Sequence, residues 1–270
     1  MPEGRGRLVL IKLGGSLITD KRRPSTLRRG VLRRLAGELA GALRRGGPGV
    51  VLGHGSGSFG HTTAKRYGLT RAVTSQRQVA GVAQTRLEAT LLHRRVLEAL
   101  RETGLKPLSW APSSAMVLDD GRPVVVHDEP IVHALELGMV PVLFGDVVTD
   151  RTRGAAICST ETALLAVARR LRRRGAAIGR ALWLGETAGV LDADGGPIPV
   201  IDAGNRRSVL AGLRGASGPD VTGGIRHRVE TAWALARLGV PSSIVDGRRR
   251  GTLRRLLAGQ PVTGTEVRSG

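Results

Sequence analysis

Two kinds of hydrophobic pattern alternate along the chain of 270 residues. Short runs rich in apolar residues lie at 8–13, 50–52, 107–110, 140–144, 181–184, 242–245 and 262–267. Between them, apolar residues recur every three or four positions at 27–43, 76–102, 159–174 and 225–238. The runs are too short for helices and predict strands, whereas the periodic segments predict amphipathic helices. This alternation predicts an α/β fold, a three-layer α/β/α sandwich around an open, mainly parallel sheet.

Shorter signals occupy the middle of the chain. Pro112 begins a short predicted helix, Asp119-Asp120-Gly121 predicts a hairpin turn, and a further helix and strand are predicted at 129–137 and 147–148. The chain has no internal repeat and no long linker. We therefore predict a single domain of two lobes, about 1–155 and 156–270, that join near Ala155.

The composition limits the classes of function. The net charge of +20 would suit a nucleic-acid partner, but the arginines lie in pairs and triplets on predicted helix faces, and aromatic residues make up only 2%. Because few side chains could stack on bases, we predict no nucleic-acid partner. No apolar run approaches the roughly 18 residues of a membrane helix, and the start of the chain lacks the apolar core of a signal peptide. We predict a cytoplasmic protein without membrane association.

Cysteine and lysine are both scarce. Cys158 is the only cysteine, which excludes an intrachain disulfide and a cysteine cluster for zinc. Only four of the 42 basic residues are lysine. In a chain that uses arginine almost everywhere, each lysine is a candidate for a task that a planar guanidinium performs poorly. Lys12 lies near the end of the first predicted strand, where a buried ammonium needs an anionic partner, and Lys21 follows in a polar loop.

A glycine-rich loop follows the second predicted strand. It consists of Gly53-His54-Gly55-Ser56-Gly57-Ser58-Phe59-Gly60-His61. Glycines allow the backbone to approach an anion closely, and a following helix directs free N–H groups toward it, so the loop suggests a phosphate site. The spacing is not that of a Walker loop, and it fits a dinucleotide fingerprint poorly. Taken alone, the loop is equally consistent with a flexible connection that binds nothing.

Other strand ends add polar groups at the same predicted sheet edge, where ligands bind in open α/β sheets. Gly14 and Gly15 follow the first strand, and Gly145 with Asp146 follows the strand at 140–144. Glu161 lies in the first turn of the helix at 159–174, where an acidic residue is favourable. A second candidate phosphate loop, at 220–224, precedes the helix at 225–238.

Four segments together resemble the amino acid kinase superfamily, most closely the isopentenyl phosphate kinases. They are Lys12-Leu13-Gly14-Gly15-Ser16 with Lys21, the loop from Gly53 to His61, Pro141-Val142-Leu143-Phe144-Gly145-Asp146-Val147-Val148, and Asp220-Val221-Thr222-Gly223-Gly224. The resemblance extends over about 8–267. His61 at the end of the loop is similar to the subset that phosphorylates a phosphate or phosphonate rather than a carboxylate.

The resemblance implies an amino acid kinase-like fold and ATP-dependent phosphorylation of isopentenyl phosphate, a small-molecule phosphate acceptor. It also implies Mg²⁺, a homodimer, an acceptor-binding N-terminal lobe and a nucleotide-binding C-terminal lobe. The implied catalytic residues are Lys12, Lys21, His61 and Glu161. The implied acceptor-binding residues are Gly53, Gly55, Ser56, Gly57, His61, Gly145 and Asp146. The implied nucleotide-binding residues are Lys12, Gly14, Gly15, Ser16, Lys21, Glu186, Gly189, Gly223, Gly224 and Arg228, and no residue is assigned to the metal.

Three positions differ from the pattern of that family. Glu161 and Glu186 occupy positions where the family usually has aspartate, and Arg228 replaces a lysine. Three alternatives stay open: a kinase for another small phosphate or phosphonate, such as fosfomycin; a kinase that forms an acyl phosphate, a type that lacks His61; and a non-catalytic member that binds a metabolite, which would explain Glu161 and Glu186.

Overall fold

The computed structural model describes residues 7–44, 46–215 and 222–270. Within these ranges the chain forms two sheets and ten helices. The strands are β1 (Leu8–Leu13), β2 (Val50–His54), β3 (Pro107–Ser109), β4 (Met116–Asp119), β5 (Arg122–Val126), β6 (Val140–Phe144), β7 (Asp146–Asp150), β8 (Gly154–Cys158), β9 (Ile178–Gly185), β10 (Val200–Ile201), β11 (Ser242–Asp246) and β12 (Gly264–Val267). The helices are α1 (Gly15–Ile18), α2 (Arg29–Leu43), α3 (His61–Arg66), α4 (Gln76–Glu102), α5 (Pro112–Ala115), α6 (Glu129–Glu136), α7 (Thr160–Arg173), α8 (Arg206–Gly215), α9 (Thr222–Ala236) and α10 (Thr252–Leu257).

The large sheet has eight strands in the order β10-β12-β11-β9-β1-β2-β6-β3. All pairs in it are parallel except β11 with β12. β1 lies in its interior between β9 and β2, and all six of its residues are buried. This burial on both faces explains why the strand is apolar at every position except Lys12 rather than alternating.

Helices cover both faces of the large sheet. One face carries α2, α4 and α10, whose leucines and valines pack with Val9 and Ile11. The other face carries α7 and α9, which pack with Leu10 and Trp183. The predicted three-layer α/β/α sandwich is confirmed, and strand geometry explains it because successive side chains point to opposite faces.

A smaller sheet with the strand order β5-β4-β7-β8 follows directly from the large one, because one residue separates β6 from β7. Its β4–β5 hairpin turns at Asp120 and Gly121, as predicted, and both residues have positive φ. Ala155, near which we predicted that the two lobes join, lies within β8 and pairs with Thr149. The functional division into lobes stays a prediction.

Two features of the described chain bear on the expectations from sequence. None of its helices is long and apolar enough to span a bilayer. Only part of the predicted loop at 220–224 can be compared with the structure. Residues 220 and 221 lie outside the described ranges, whereas Gly223 and Gly224 belong to the first turn of α9.

Candidate active site

A cavity of about 1200 Å³ lies at the carboxyl edge of the large sheet. The ends of β1 and β9 and the loop after β2 form its floor, and the first turns of α7 and α9 face it from one side. The cavity brings together most of the residues predicted from sequence. These are Lys12, Gly15, Ser16, Lys21, Gly55, Ser56, Gly57, His61, Glu161, Glu186, Gly189, Gly224 and Arg228.

Three charged side chains meet in the interior of the cavity. Lys12 Nζ lies 2.8 Å from Glu161 Oε1, and Arg228 Nε lies 3.6 Å from the same oxygen. Lys12 is 5% exposed and Glu161 7%. Burial lowers the pKa of Lys12 to about 8, although the charge of Glu161 opposes this shift. Burial acts to raise the pKa of Glu161, but the charges of Lys12 and Arg228 overcome it and lower that pKa to about 2. The cluster therefore carries one excess positive charge at neutral pH.

Arg228 has a donor for which no described residue supplies an acceptor. Its Nε is buried and makes no hydrogen bond among the described residues, since the distance to Glu161 exceeds hydrogen-bonding range. A buried donor without an acceptor is costly unless a ligand supplies one. Together with the excess positive charge, this donor indicates that the cavity fits an anionic ligand such as a phosphate chain.

Two glycine-containing loops contact each other beside the charged cluster. A Cβ atom on Gly15 would lie 2.5 Å from the backbone nitrogen of Gly57, and one on Gly55 would lie 2.8 Å from that of Gly15. Gly57 has φ +52° and begins a short 3₁₀ helix. Thr19 stabilises the contact between the two loops, because its Oγ1 accepts a hydrogen bond from Ser58 N–H. The backbones of the two loops are thus exposed to the cavity without intervening side chains.

Substitution of Gly15 by alanine is expected to destabilise the fold. The added Cβ would overlap backbone atoms of Gly57, which cannot rotate away as a side-chain end could. We expect Gly15→Ala to lower the free energy of unfolding by about 1–3 kcal/mol, measured by urea denaturation. Gly41→Ala is the matched control, because Gly41 lies inside α2, an added Cβ there would meet no atom within 4 Å apart from its chain neighbours and the backbone of its own helix, and alanine should be neutral or stabilising. Equal effects of the two substitutions would contradict the close contact between the loops.

His61 begins α3 at the end of the second glycine loop. Its Nδ1 lies 3.3 Å from Ser56 Oγ. Desolvation in the cavity and the charge of Lys21 lower the pKa of His61, so the ring is neutral at pH 7. A neutral imidazole in this place is able to donate one hydrogen bond to a ligand.

The turn after β9 faces the loop that carries Lys21. Glu186 forms an ion pair with Arg28, the residue that precedes α2. Desolvation lowers the pKa of Lys21, an effect that the charge of Glu186 opposes and that of Arg228 reinforces. Lys21, Glu186 and Arg28 therefore belong to one charged rim on the β9 side of the cavity.

The sequence reasoning missed several residues of the lining. His227 Nε2 lies 2.8 Å from Ser159 Oγ, the side chain that caps α7, and so connects α9 to α7. The missed apolar side chains of the lining are Ile157, Leu191, Ile198, Val209, Leu213 and Ile225. His227 precedes Arg228 in a helical segment, a position that carries no signal in a single sequence. The apolar side chains come from several elements that only the fold brings together.

Among the predicted site residues whose surroundings the structure describes, which leaves out Gly223, four lie outside the lining. Gly53 packs against Thr160, Gly14 against the backbone of Leu184, and Gly145 beside Thr160, so these glycines permit close packing behind the cavity. The carboxylate of Asp146 accepts hydrogen bonds from the N–H groups of Ser113 and Val147. The binding roles assigned to Gly14, Gly53, Gly145 and Asp146 therefore rest on the resemblance alone.

Comparison with known proteins identifies the family. The model of the amino acid kinase family matches residues 7–246. The chain belongs to the amino acid kinase family. This amino acid kinase is 30% identical over 271 residues to the isopentenyl phosphate kinase of Methanothermobacter thermautotrophicus, covering 96% of this chain and 98% of that protein. It is 33% identical over 239 residues to the isopentenyl phosphate kinase of Haloferax volcanii, covering 88% and 90%.

A solved structure agrees with these relatives. X-ray structures of isopentenyl phosphate kinase include a chain that superposes with a TM-score of 0.81 at 27% identity, covering 97% of this amino acid kinase and 100% of that chain. The resemblance predicted from the four sequence segments is thereby confirmed.

Proposed function

We propose that this amino acid kinase transfers the γ-phosphoryl group of ATP to isopentenyl phosphate, giving isopentenyl diphosphate and ADP. The observation that carries the proposal is that one cavity holds both His61, at the end of its glycine loop, and the cluster of Lys12, Glu161 and Arg228. The relatives named above as isopentenyl phosphate kinases support this choice of acceptor.

Each part of the cavity receives a role in this proposal. Lys12 bridges the transferring phosphoryl group, and Lys21 and Arg228 neutralise the nucleotide phosphates. The backbone of the loop at 14–16 holds ATP, and the backbone at 55–57 with His61 holds the acceptor phosphate. In this proposal the N-terminal lobe binds the acceptor and the C-terminal lobe binds most of the nucleotide, while the loop at 14–16 and Lys21 extend from the N-terminal lobe to the phosphates of ATP.

The reaction makes modest chemical demands on these residues. Phosphoryl transfer depends on alignment of the two oxygens and on neutralisation of charge that spreads over the transferred group. The acceptor phosphate is already ionised at neutral pH, so no side chain has to remove a proton from it. The charge of Lys12 would stabilise the transferring group more strongly as that group moves from the donor to the acceptor.

We propose that Mg²⁺ binds together with ATP. Within the described ranges no three His, Cys, Asp or Glu side chains are grouped so that they could hold a metal ion. Magnesium is often held by one or two carboxylates together with substrate phosphates, and in this cavity Glu161 and Glu186 are already paired with cations. We therefore assign the ion mainly to the phosphates of ATP, where it would neutralise charge.

An apolar surface near the loop at 55–61, here named the acceptor loop, favours an isoprenoid tail over a small polar phosphonate. Ile157 lines the cavity, is 46% exposed and pairs across the strands with Val147. Val147 packs with Ala64 of α3 and Val82 of α4 in a separate apolar cluster. Ile157 thus adds an exposed apolar side chain beside this cluster in the cavity wall and offers a contact for a short hydrocarbon chain.

A coupled assay of ADP release tests the proposed reaction. Isopentenyl phosphate, dimethylallyl phosphate, fosfomycin and glutamate would be offered in turn with ATP and Mg²⁺. The highest kcat/KM is expected with isopentenyl phosphate. Preference for fosfomycin or glutamate would select one of the alternative kinases, and no ADP release with any acceptor would select a non-catalytic member.

His61→Ala is expected to impair use of the acceptor specifically. Loss of a hydrogen bond to a charged phosphate should raise KM for isopentenyl phosphate by about tenfold or more and lower kcat, while KM for ATP stays nearly constant. His61→Gln should retain part of both parameters because its amide can still donate. Initial rates over a range of acceptor at saturating ATP provide the measurement. Unchanged acceptor kinetics in His61→Ala would remove the acceptor role from this residue.

We further propose that the protein is a homodimer through α4. Val79, Leu87 and Leu91 of this helix are 51–56% exposed and repeat at spacings of four and eight residues, so they form one apolar stripe. In a two-fold dimer the same stripe on a second copy of the chain would pack against this one and cover it. Sedimentation velocity should give a dimer for the wild type and a monomer for Leu87→Glu. A wild-type monomer at micromolar concentration would refute this assembly.

A further inference from the structure

A chain of polar side chains lies behind the acceptor loop, outside the cavity lining. His54 Nε2 lies 2.9 Å from His93 Nδ1, and His93 Nε2 lies 2.9 Å from Ser109 Oγ. At the other end, His54 Nδ1 lies 3.2 Å from the carbonyl oxygen of Gly55. His54 is 0% exposed and His93 3%, whereas Ser109 is exposed. The chain therefore leads from the surface through the core to the acceptor loop.

The carbonyl oxygen of Gly55, at one end of the chain of side chains, determines the direction of every hydrogen bond in it. A carbonyl oxygen can only accept, so Nδ1 of His54 must carry its proton. Burial lowers the pKa of His54 to about 4 and that of His93 to about 2, so both rings are neutral. His54 Nε2 consequently accepts from His93 Nδ1–H, and His93 Nε2 accepts from the hydroxyl of Ser109. Both histidines are thus Nδ1–H tautomers, and each bond follows from the one before it.

The surroundings fix the two rings in place. The rings of His54 and His93 lie edge to edge in nearly parallel planes, with centroids 5.2 Å apart, and His93 stacks on Phe144 with centroids 4.2 Å apart. The main chain of His54 is held as well, because its carbonyl accepts hydrogen bonds from Gly145 N–H and Thr160 Oγ1. On α4, His93 lies among the core residues Leu92 and Val96, where an apolar side chain would pack without the cost of a buried polar group.

The bond to Gly55 has a geometric consequence for the next N–H group. In a trans peptide the carbonyl and the following N–H point in opposite directions. With the Gly55 carbonyl held toward His54, the Ser56 N–H is directed away from the histidines. It donates to no acceptor among the described residues, and Gly55 and Ser56 both line the cavity.

We propose that His54 and His93 are positioning residues whose hydrogen-bond chain holds the Gly55–Ser56 peptide with its N–H available to the phosphate of the acceptor. This inference rests on the proposed function, because it takes the ligand of this loop to be a phosphorylated acceptor. The histidines act through the loop and contact neither the acceptor nor ATP. Because both histidines are neutral, they hold the Gly55–Ser56 peptide without adding a charge that would compete with Lys12 for the phosphate.

Nuclear magnetic resonance on the unmodified protein tests the chain directly. Long-range ¹H–¹⁵N correlations of labelled imidazoles are expected to show Nδ1–H tautomers for His54 and His93 that persist between pH 6 and 8. An Nε2–H tautomer for either ring, or protonation of either ring within this interval, would overturn the proposal. Because this measurement needs no turnover, it decides on the hydrogen-bond chain even if the proposed reaction is wrong.

Kinetics of two variants at His93 test the positioning role. His93→Leu removes the donor to His54 and should raise KM for isopentenyl phosphate by about fivefold to tenfold, with KM for ATP within twofold of wild type. His93→Asn places an amide N–H near the former Nδ1 and should restore most of the acceptor affinity. His133→Leu is the matched control, since His133 is exposed and far along the chain from the loop.

The outcomes separate positioning from packing. A folded His93→Leu with wild-type KM for the acceptor would refute the role, and so would equal losses in His93→Leu and His93→Asn, because packing alone would then explain both. Circular dichroism melting establishes which variants are folded, and His93→Asn carries the test if His93→Leu is not. A wild-type protein that does not phosphorylate isopentenyl phosphate would refute the proposed function instead, and the tautomers would still be measured.

Discussion

Lys12→Ala is expected to lower kcat by about a thousandfold without unfolding the protein. The ammonium lies in the cavity, and in the proposed reaction it contacts the transferring phosphoryl group, so its charge would act mainly in the transition state. The fold should tolerate the change because Glu161 keeps a second cation, Arg228, at 3.6 Å. Rapid-quench or steady-state measurement of ADP formation at saturating substrates would give kcat, and thermal unfolding would report on the fold.

Lys12→Arg provides the matched control for this prediction. A guanidinium keeps the charge but spreads it over a planar fork, so we expect a smaller but still large loss of kcat. The wild type should also lose kcat/KM for ATP as the pH rises through about 8, because the pKa of Lys12 in the free enzyme has that value and the neutral amine does not attract phosphate. Lys12→Arg should lack this decline. Full activity in Lys12→Arg would contradict the argument from lysine scarcity.

Glu161→Gln is expected to reduce both stability and turnover. Its charge compensates two cations in the interior, so its removal leaves Lys12 and Arg228 facing each other across a neutral amide. Loss of one partner from a buried ion pair destabilises proteins by about 3 kcal/mol or more. Turnover should fall at least tenfold as Lys12 loses its position, whereas ATP, which supplies negative charge, should stabilise the variant more than the wild type. Urea denaturation with and without ATP would measure both effects.

Glu161→Asp distinguishes this role from a simple helix-start acid. A carboxylate one methylene shorter should keep the charge balance, so we expect wild-type or improved turnover. If Glu161 served only to favour the first turn of α7, its replacement by glutamine would cost less than about 1 kcal/mol and leave kcat unchanged. That outcome would refute its role in holding Lys12.

Elements with a strong repeating pattern were predictable from the sequence. The bounds of α4 agree with the periodic segment at 76–102, because a long amphipathic helix with a serine cap provides many repeats of one signal. The strands β1 and β6 were equally clear, since each is a short run that is apolar apart from Lys12 and is followed by glycine. Lys12 was found because the chain contains so few lysines.

Elements with weak local signals were missed. β8 consists of Gly154-Ala155-Ala156-Ile157-Cys158, a composition with low strand propensity, and its pairing with β7 stabilises it. α10 has only six residues, too few to display a helical period, and Glu38 of α2 accepts hydrogen bonds from its N-terminal N–H groups. Contacts between distant segments, such as Arg28 with Glu186 and His54 with His93, could likewise not be predicted from the sequence, because only the fold brings these residues together.

The place of β1 in the large sheet has a consequence for how the molecule is made. Leu8 pairs with Ile178 on one side, and Val9 pairs with Val50 on the other, so during synthesis β1 receives one neighbour early and the other late. Until β9 is synthesised, β1 presents an apolar edge that could pair with another nascent chain. We therefore expect a fragment that ends before residue 178 to aggregate, and the complete chain to fold only after most of its synthesis is finished.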